Sequence, residues 1–192
     1  MRICVYAASS AQVHPEFQDT AYQLGEELAK NGHSLVYGGG SQGLMGAVAN
    51  GALAHGGDVI GILPRFMADL EWGHPGLTEL RLVEDMRERK HQLLADSDAV
   101  IALPGGCGTL EELFEAITLK RLGIYFSPII LLNTRNYYTA LQTFMQQVID
   151  EKFMNTEHVA MWSLVDSVAE VLPKISNTPK WREDAGEYAL VG

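Results

Sequence analysis

The sequence predicts an α/β fold, a doubly wound parallel sheet with helices on both faces, in a single domain. Three observations carry that prediction. Short apolar runs rich in Val, Ile and Leu alternate with segments of helical period, as strands buried on both faces alternate with their crossover helices. At 192 residues, 47% hydrophobic and 20% charged, the chain can build one sizeable core and is short for two. Three loops bearing Gly or Ser, "AASS", "GGGSQG" and "PGGCGT", follow expected strands, and open parallel sheets form their ligand crevice beyond such strand ends.

In chain order, the apolar runs place strands at Arg2–Ala8, Ser34–Tyr37, Asp58–Leu63, Leu80–Val83, Ala99–Leu103 and Pro128–Leu132. A seventh is expected near His158–Leu164. The intervening helical-period segments are Pro15–Asn31, Leu44–His55, Asp85–Asp96, Thr109–Leu122 and Tyr137–Phe153, with a last helix near Asp166–Ile175. No repeat or linker divides the chain, so residues 1–175 read as one domain and 176–192 as a polar, poorly ordered tail.

A formal charge of −10 argues against a nucleic-acid partner, yet a local cluster of backbone N–H groups can still seat a small phosphorylated ligand. No apolar run approaches the roughly 20 residues that span a bilayer. "MRICVYAASS" resembles a buried strand more than a secretion signal, so the protein is expected in the cytoplasm, with no membrane partner. Cys4 and Cys107 are too few for a disulfide framework and lack ligand spacing, and the six histidines show no HxH or HExxH pattern. Neither a metal nor a cofactor is expected.

Gly38, Gly40 and Gly43 satisfy G-x-G-x-x-G, but after the second strand, and the next strand ends in "GILP" without an acidic residue. That pattern fits a phosphate-proximal loop or a tight strand-to-helix turn better than a dinucleotide site. "PGGCGT" is more informative. Gly105, Gly106 and Gly108 let the backbone approach a ligand, the N–H groups of the helix start point outward, and Thr109 can bond a phosphate oxygen. The same residues also read as a capping box, in which Thr109 caps the helix and Glu112 reaches back to it.

Leu110, Leu113, Phe114 and Ile117 give this helix a core face, while Glu111, Glu115 and Thr118 share the other side. Glu112 lies between the two faces near the loop. A carboxylate there is close to a bound phosphate without bonding it, so its use must be chemical: to stabilise a developing cation or to activate water at the adjoining sugar carbon. Upstream, "DMRERK" supplies Arg87, Arg89 and Lys90, either as a solvated face or as the cation such a carboxylate needs.

"PGGCGTLEE" together with the upstream "MRERK" resembles the Lonely Guy (LOG) family of cytokinin riboside 5′-monophosphate phosphoribohydrolases, whose signature is PGGxGTxxE after an MHxRK-like segment. The likeness extends through "VYGGGSQGLMGAVANGAL", "GILP", "LGI", "PIILLN" and "YY". The resemblance implies a Rossmann-like fold and hydrolysis of the N-glycosidic bond of an adenine-type nucleoside 5′-monophosphate, giving free base and ribose 5-phosphate. It puts the family's catalytic glutamate on Glu112 and its catalytic arginine on Arg89. Substrate contacts fall on Lys90, Gly105, Gly106, Cys107, Gly108, Thr109, Leu110, Glu111 and Thr118, and an upstream glutamate aligns with Glu71 in the divergent loop "MADLEWGHPG". Similar proteins are commonly homodimers. In this mechanism Glu112 either attacks C1′ or directs a water, and Arg89 orients it and keeps it ionised.

Two departures from the family pattern stand out. Arg87 replaces a usual histidine, and Lys120 and Arg121 stand where many members carry Ala-Gln. They are expected to add positive charge near the pocket, and they leave the base open between a prenylated adenine and adenine itself. The rival reading is a non-catalytic nucleotide- or cofactor-binding protein on the same scaffold. Lysine decarboxylase, a label attached to similar sequences, lacks a recognisable Schiff-base lysine here.

Overall fold

A computed structural model describes residues 1–70 and 73–188. Its seven strands are β1 (Arg2–Tyr6), β2 (Ser34–Tyr37), β3 (Val59–Pro64), β4 (Glu79–Val83), β5 (Ala99–Ala102), β6 (Ile129–Leu132) and β7 (Ser163–Val165). They form one sheet in the order β4-β3-β2-β1-β5-β6-β7, with every neighbouring pair parallel. The helices are α1 (Pro15–Lys30), α2 (Gly43–Ala54), the short α3 (Arg65–Ala68), α4 (Met86–Leu94), α5 (Cys107–Arg121), α6 (Thr139–Asp150) and α7 (Val168–Asn177).

The central strands are apolar throughout because both faces are covered. On β1, Ile3 and Val5 pack into the core shared with Leu24, Leu28 and Val48, whereas Cys4 and Tyr6 face the opposite core with Leu113 and Ile117. This is the doubly wound architecture the alternating apolar runs predict.

The chain builds β1 to β4 outward on one side, then returns to lay β5 on the other side of β1. The strand order reverses between β1 and β5, and a crevice opens beyond their carboxyl ends. β1 ends at Tyr6 rather than Ala8, so residues 7–10 leave the sheet and become a wall of that crevice.

Three expectations need correction. Residues Thr156–Met161 form a 3-10 helix, not strand, because Asn155 caps it and the His158 ring accepts the Asn155 N–H at 3.1 Å. The last strand is therefore only Ser163–Val165. α6 starts at Thr139 rather than Tyr137, since Arg135 and Asn136 adopt left-handed backbone. Lys120 adds no charge to the crevice. It is buried in the last turn of α5, donates to the Ser127 carbonyl at 2.7 Å, and lies 5.8 Å from the centre of the Trp181 ring. Burial lowers its pKa to about 8. Trp181 anchors the polar tail there, its backbone N–H donating to the Phe126 carbonyl at 2.8 Å, and Ala185 beyond it is buried.

Candidate active site

A cavity of about 670 Å³ occupies the crevice. Its polar walls are the three loops singled out in the sequence: Ala7–Ser10, the Gly38–Gln42 segment, and Gly106, Gly108 and Thr109. Leu63, Met45, Met67 and Met86 supply an apolar side, and the buried Arg89 and Glu112 also line it.

Each loop has a local cause. Gly39 and Gly43 carry positive φ (77° and 59°), which turns the chain from β2 into α2 and supports the turn reading of the glycine motif. Gly38 is required by close approach, since a Cβ there would sit 2.1 Å from Arg89 Nη2. α5 begins at Cys107 after an extended Gly106, with no side-chain cap. Thr109 is thus inside the first turn, buried, and Glu112 lies past that turn rather than bonding back to a cap. The capping-box reading fails, and the N–H groups of the first turn receive no capping bond from a side chain at Gly106.

Arg89 is fixed from several sides. Asp85 caps α4 by accepting the Glu88 N–H at 2.8 Å, and the Glu88 carboxylate accepts the Glu84 N–H at 2.8 Å. The guanidinium, itself buried, donates to the Ile62 carbonyl at 3.2 Å, the Gly38 carbonyl at 3.3 Å and Glu112 Oε1 at 3.1 Å. It therefore ties the ends of β2 and β3 to α5. Glu112 is only 8% exposed. Burial raises its pKa to about 7, outweighing the attraction of Arg89.

The other acidic residues of α5 are neutralised elsewhere. Lys90 Nζ pairs with Glu111 at 2.5 Å and Glu115 at 3.1 Å, and this contact raises the lysine pKa. Of the expected site residues, the structure brings Arg89, Glu112, Gly106, Gly108 and Thr109 to the cavity. Gly105, Cys107 and Leu110 belong to the same loop and helix start but do not line it, and Lys90 and Glu111 pair on the outer face. Thr118 is exposed farther along α5, and Arg87 is exposed on α4. Glu71 lies outside the described residues. The three methionines were not legible as site residues, because they come from three different helices and share no sequence pattern.

Fold and site define a doubly wound α/β protein with an enzyme-like carboxylate–guanidinium pair at its topological switch point. Over residues 45–175 the chain matches the family described as "Possible lysine decarboxylase". It is 46% identical over 155 residues to cytokinin riboside 5′-monophosphate phosphoribohydrolase LOG7 of Arabidopsis thaliana, covering 80% of this chain and 71% of that one. The chain belongs to the Lonely Guy (LOG) family. Among solved structures, a Northeast Structural Genomics Consortium target superposes with a TM-score of 0.72 at 29% identity, over 91% of this chain and 98% of that one. The molybdenum cofactor carrier protein of Chlamydomonas reinhardtii reaches 0.70 at 20% identity, over 92% and 96%, and shares the fold.

The decarboxylase description is not matched by the residues present. Pyridoxal chemistry requires a lysine facing the ligand. None lines the cavity among the described residues: Lys90 is paired on the outer face and Lys120 is buried at the far end of α5. No helix among the described residues is long and apolar enough to cross a membrane.

Proposed function

We propose that this chain hydrolyses the N-glycosidic bond of an adenine-type nucleoside 5′-monophosphate, releasing the base and ribose 5-phosphate. One observation carries the reading: a buried carboxylate, Glu112, faces the same cavity as a glycine-lined anion cradle and is held by Arg89. A protein that only bound phosphate would do better without that negative charge. In glycosyl cleavage positive charge develops on the sugar, and Glu112 is placed to stabilise it and to attack C1′ or direct a water. Gly106, Gly108 and Thr109, with Ser9 and Ser10 lining the same cavity, form the seat for the 5′-phosphate, whose binding positions the sugar.

The apolar wall of Leu63, Met45, Met67 and Met86 favours a base with an apolar N6 substituent over adenine alone. Chromatographic release of free base tests both points. Isopentenyladenosine monophosphate is expected to exceed AMP in kcat/KM by at least about tenfold, the worth of a few buried methylenes. The dephosphorylated nucleosides are expected to be poor substrates. Equal release from nucleoside and nucleotide removes the phosphate seat, and tight nucleotide binding without product supports the carrier reading.

The protein is proposed to work as a homodimer. At the β4 edge of the sheet Leu80 and Leu82 are exposed, and Phe66 is exposed on α3, which packs against β4. Exposed apolar side chains on an edge strand mark a surface that another chain covers. Light scattering is expected to give about twice the 21.1 kDa chain mass, and Leu82→Asp to give monomer. A monomeric parent protein would refute the dimer. A reducing compartment such as the cytoplasm suits the exposed thiol of Cys107.

A further inference from the structure

Behind the anion cradle, two tyrosines hold its loop by the carbonyls. The Tyr137 hydroxyl donates to the Gly105 carbonyl at 2.5 Å, and the Tyr138 hydroxyl donates to the Leu103 carbonyl at 2.7 Å. Both follow β6 in a segment whose backbone is unfavourable. Arg135 and Asn136 carry φ of 55° and 58°, a region that L side chains rarely adopt, and the buried Thr134 hydroxyl has no hydrogen bond among the described residues. Strain of this kind persists only where surrounding contacts over-determine it, and it gathers at working sites. Here those contacts are visible. Asn133 Oδ1 accepts the Tyr138 N–H at 2.8 Å, Asn133 Nδ2 donates to Asp166 at 2.9 Å, and Arg135 pairs with Glu16 at 2.8 Å. What the segment achieves is delivery of two hydroxyls to the PGG loop.

We infer that Tyr137 is a positioning residue for the phosphate seat, holding the peptide between Gly105 and Gly106 so that the Gly106 N–H points into the cavity. In a trans peptide the carbonyl and the N–H point in opposite directions. A hydroxyl that holds the Gly105 carbonyl on the side away from the cavity therefore aims the next N–H toward it, and Gly106 lines that cavity. Two adjacent glycines impose little on this plane themselves. Turned over, it would present a carbonyl oxygen to the phosphate and repel it. Tyr138 supplies a built-in contrast. The residue after Leu103 is Pro104, which has no N–H, so fixing that carbonyl directs no donor.

The inference rests on the nucleotide reading above, and the experiment separates the two. Calorimetric titration with ribose 5-phosphate and steady-state kinetics with AMP and isopentenyladenosine monophosphate are run on the parent protein, Tyr137→Phe and Tyr138→Phe, with thermal unfolding of each. Tyr137→Phe is expected to weaken ribose 5-phosphate binding and raise KM by about tenfold, with kcat changed by less than about threefold, as for an interaction felt equally in ground and transition states. Tyr138→Phe is expected to lower the melting temperature while leaving affinity within about twofold. Unchanged affinity in Tyr137→Phe overturns the inference, as does a loss of affinity in both variants that simply follows their loss of stability. A parent protein that binds ribose 5-phosphate but releases no base refutes the hydrolase reading, while weakened binding in Tyr137→Phe would still uphold the positioning role. A parent that binds neither ribose 5-phosphate nor nucleotide overturns both.

Discussion

Glu112→Gln is expected to lower kcat for base release by about 10³-fold or more, the scale on which a preorganised electrostatic contact to a transition state acts. Nucleotide affinity is expected to stay within about threefold, because the phosphate seat is built from backbone and hydroxyl groups that the substitution leaves alone. Glutamine keeps the shape and can still accept the Arg89 hydrogen bond, so the loss isolates the negative charge. Single-turnover base release and equilibrium nucleotide binding on the same preparation check the two halves. Retained turnover would remove Glu112 from the chemistry.

The same substitution has an expected effect on stability, and of opposite sign. Burial raises the Glu112 pKa from 4.5 to about 7. A group whose folded value lies above its unfolded value contributes stability that is fully present below the unfolded value and lost as pH rises through the folded one. For Glu112 the window runs from 4.5 up to about 7. The parent protein thus gives up stability across that window, and Glu112→Gln does not. Relative to the parent, the variant is expected to gain on the order of 3 kcal/mol between pH 5 and pH 8. Urea unfolding at both pH values measures it. Activity runs the other way: an ionised Glu112 is needed, so kcat/KM of the parent is expected to fall as pH drops below about 7. An inactive variant that is stabilised at alkaline pH is what a carboxylate held against its own burial cost predicts.

The pattern of legible and illegible features has a physical basis. β2 and β6 were legible almost to the residue, because strands buried on both faces leave continuous apolar runs. Glu112 was legible because backbone approach to an anion restricts the neighbouring loop to glycine, and those glycines frame a signature. The charge pattern alone did not separate Arg89 from Arg87 and Lys90, and only the family resemblance singled it out. The start of α5 was misplaced because Thr109 and Glu112 satisfy a local capping rule that the extended Gly106 pre-empts. Lys120 sits one turn past Ile117 on a helix whose last turn is covered by the tail around Trp181, a contact no local pattern announces. Thr118 shares a helix with Glu112 but lies about 9 Å farther along its axis, which explains its distance from the cavity. Met45, Met67 and Met86 converge only in the folded chain.

Arg89→Ala is expected to lose both stability and activity, and the pH dependence separates the causes. The guanidinium serves three acceptors at once: Glu112, the Gly38 carbonyl and the Ile62 carbonyl. Removing it leaves Glu112 buried with no other cation in direct contact among the described residues, at a cost on the order of 3 kcal/mol when that carboxylate is charged. Protonating Glu112 relieves part of the cost, so the stability gap to the parent is expected to narrow as pH falls from 8 toward 5. Arg89 is also the chief influence lowering the Glu112 pKa against burial, so its loss raises that pKa further. The acidic limb of the pH–rate profile should then move to higher pH. Arg89→Lys keeps the charge, but an ammonium lacks the planar fork that reaches carboxylate and carbonyls together. It is expected to restore part of the pH profile and little of the stability. If Arg89→Ala lost stability equally at pH 5 and pH 8, with an unmoved acidic limb, the arginine would be only a brace between β2, β3 and α5, and Glu112 would not depend on it for its charge.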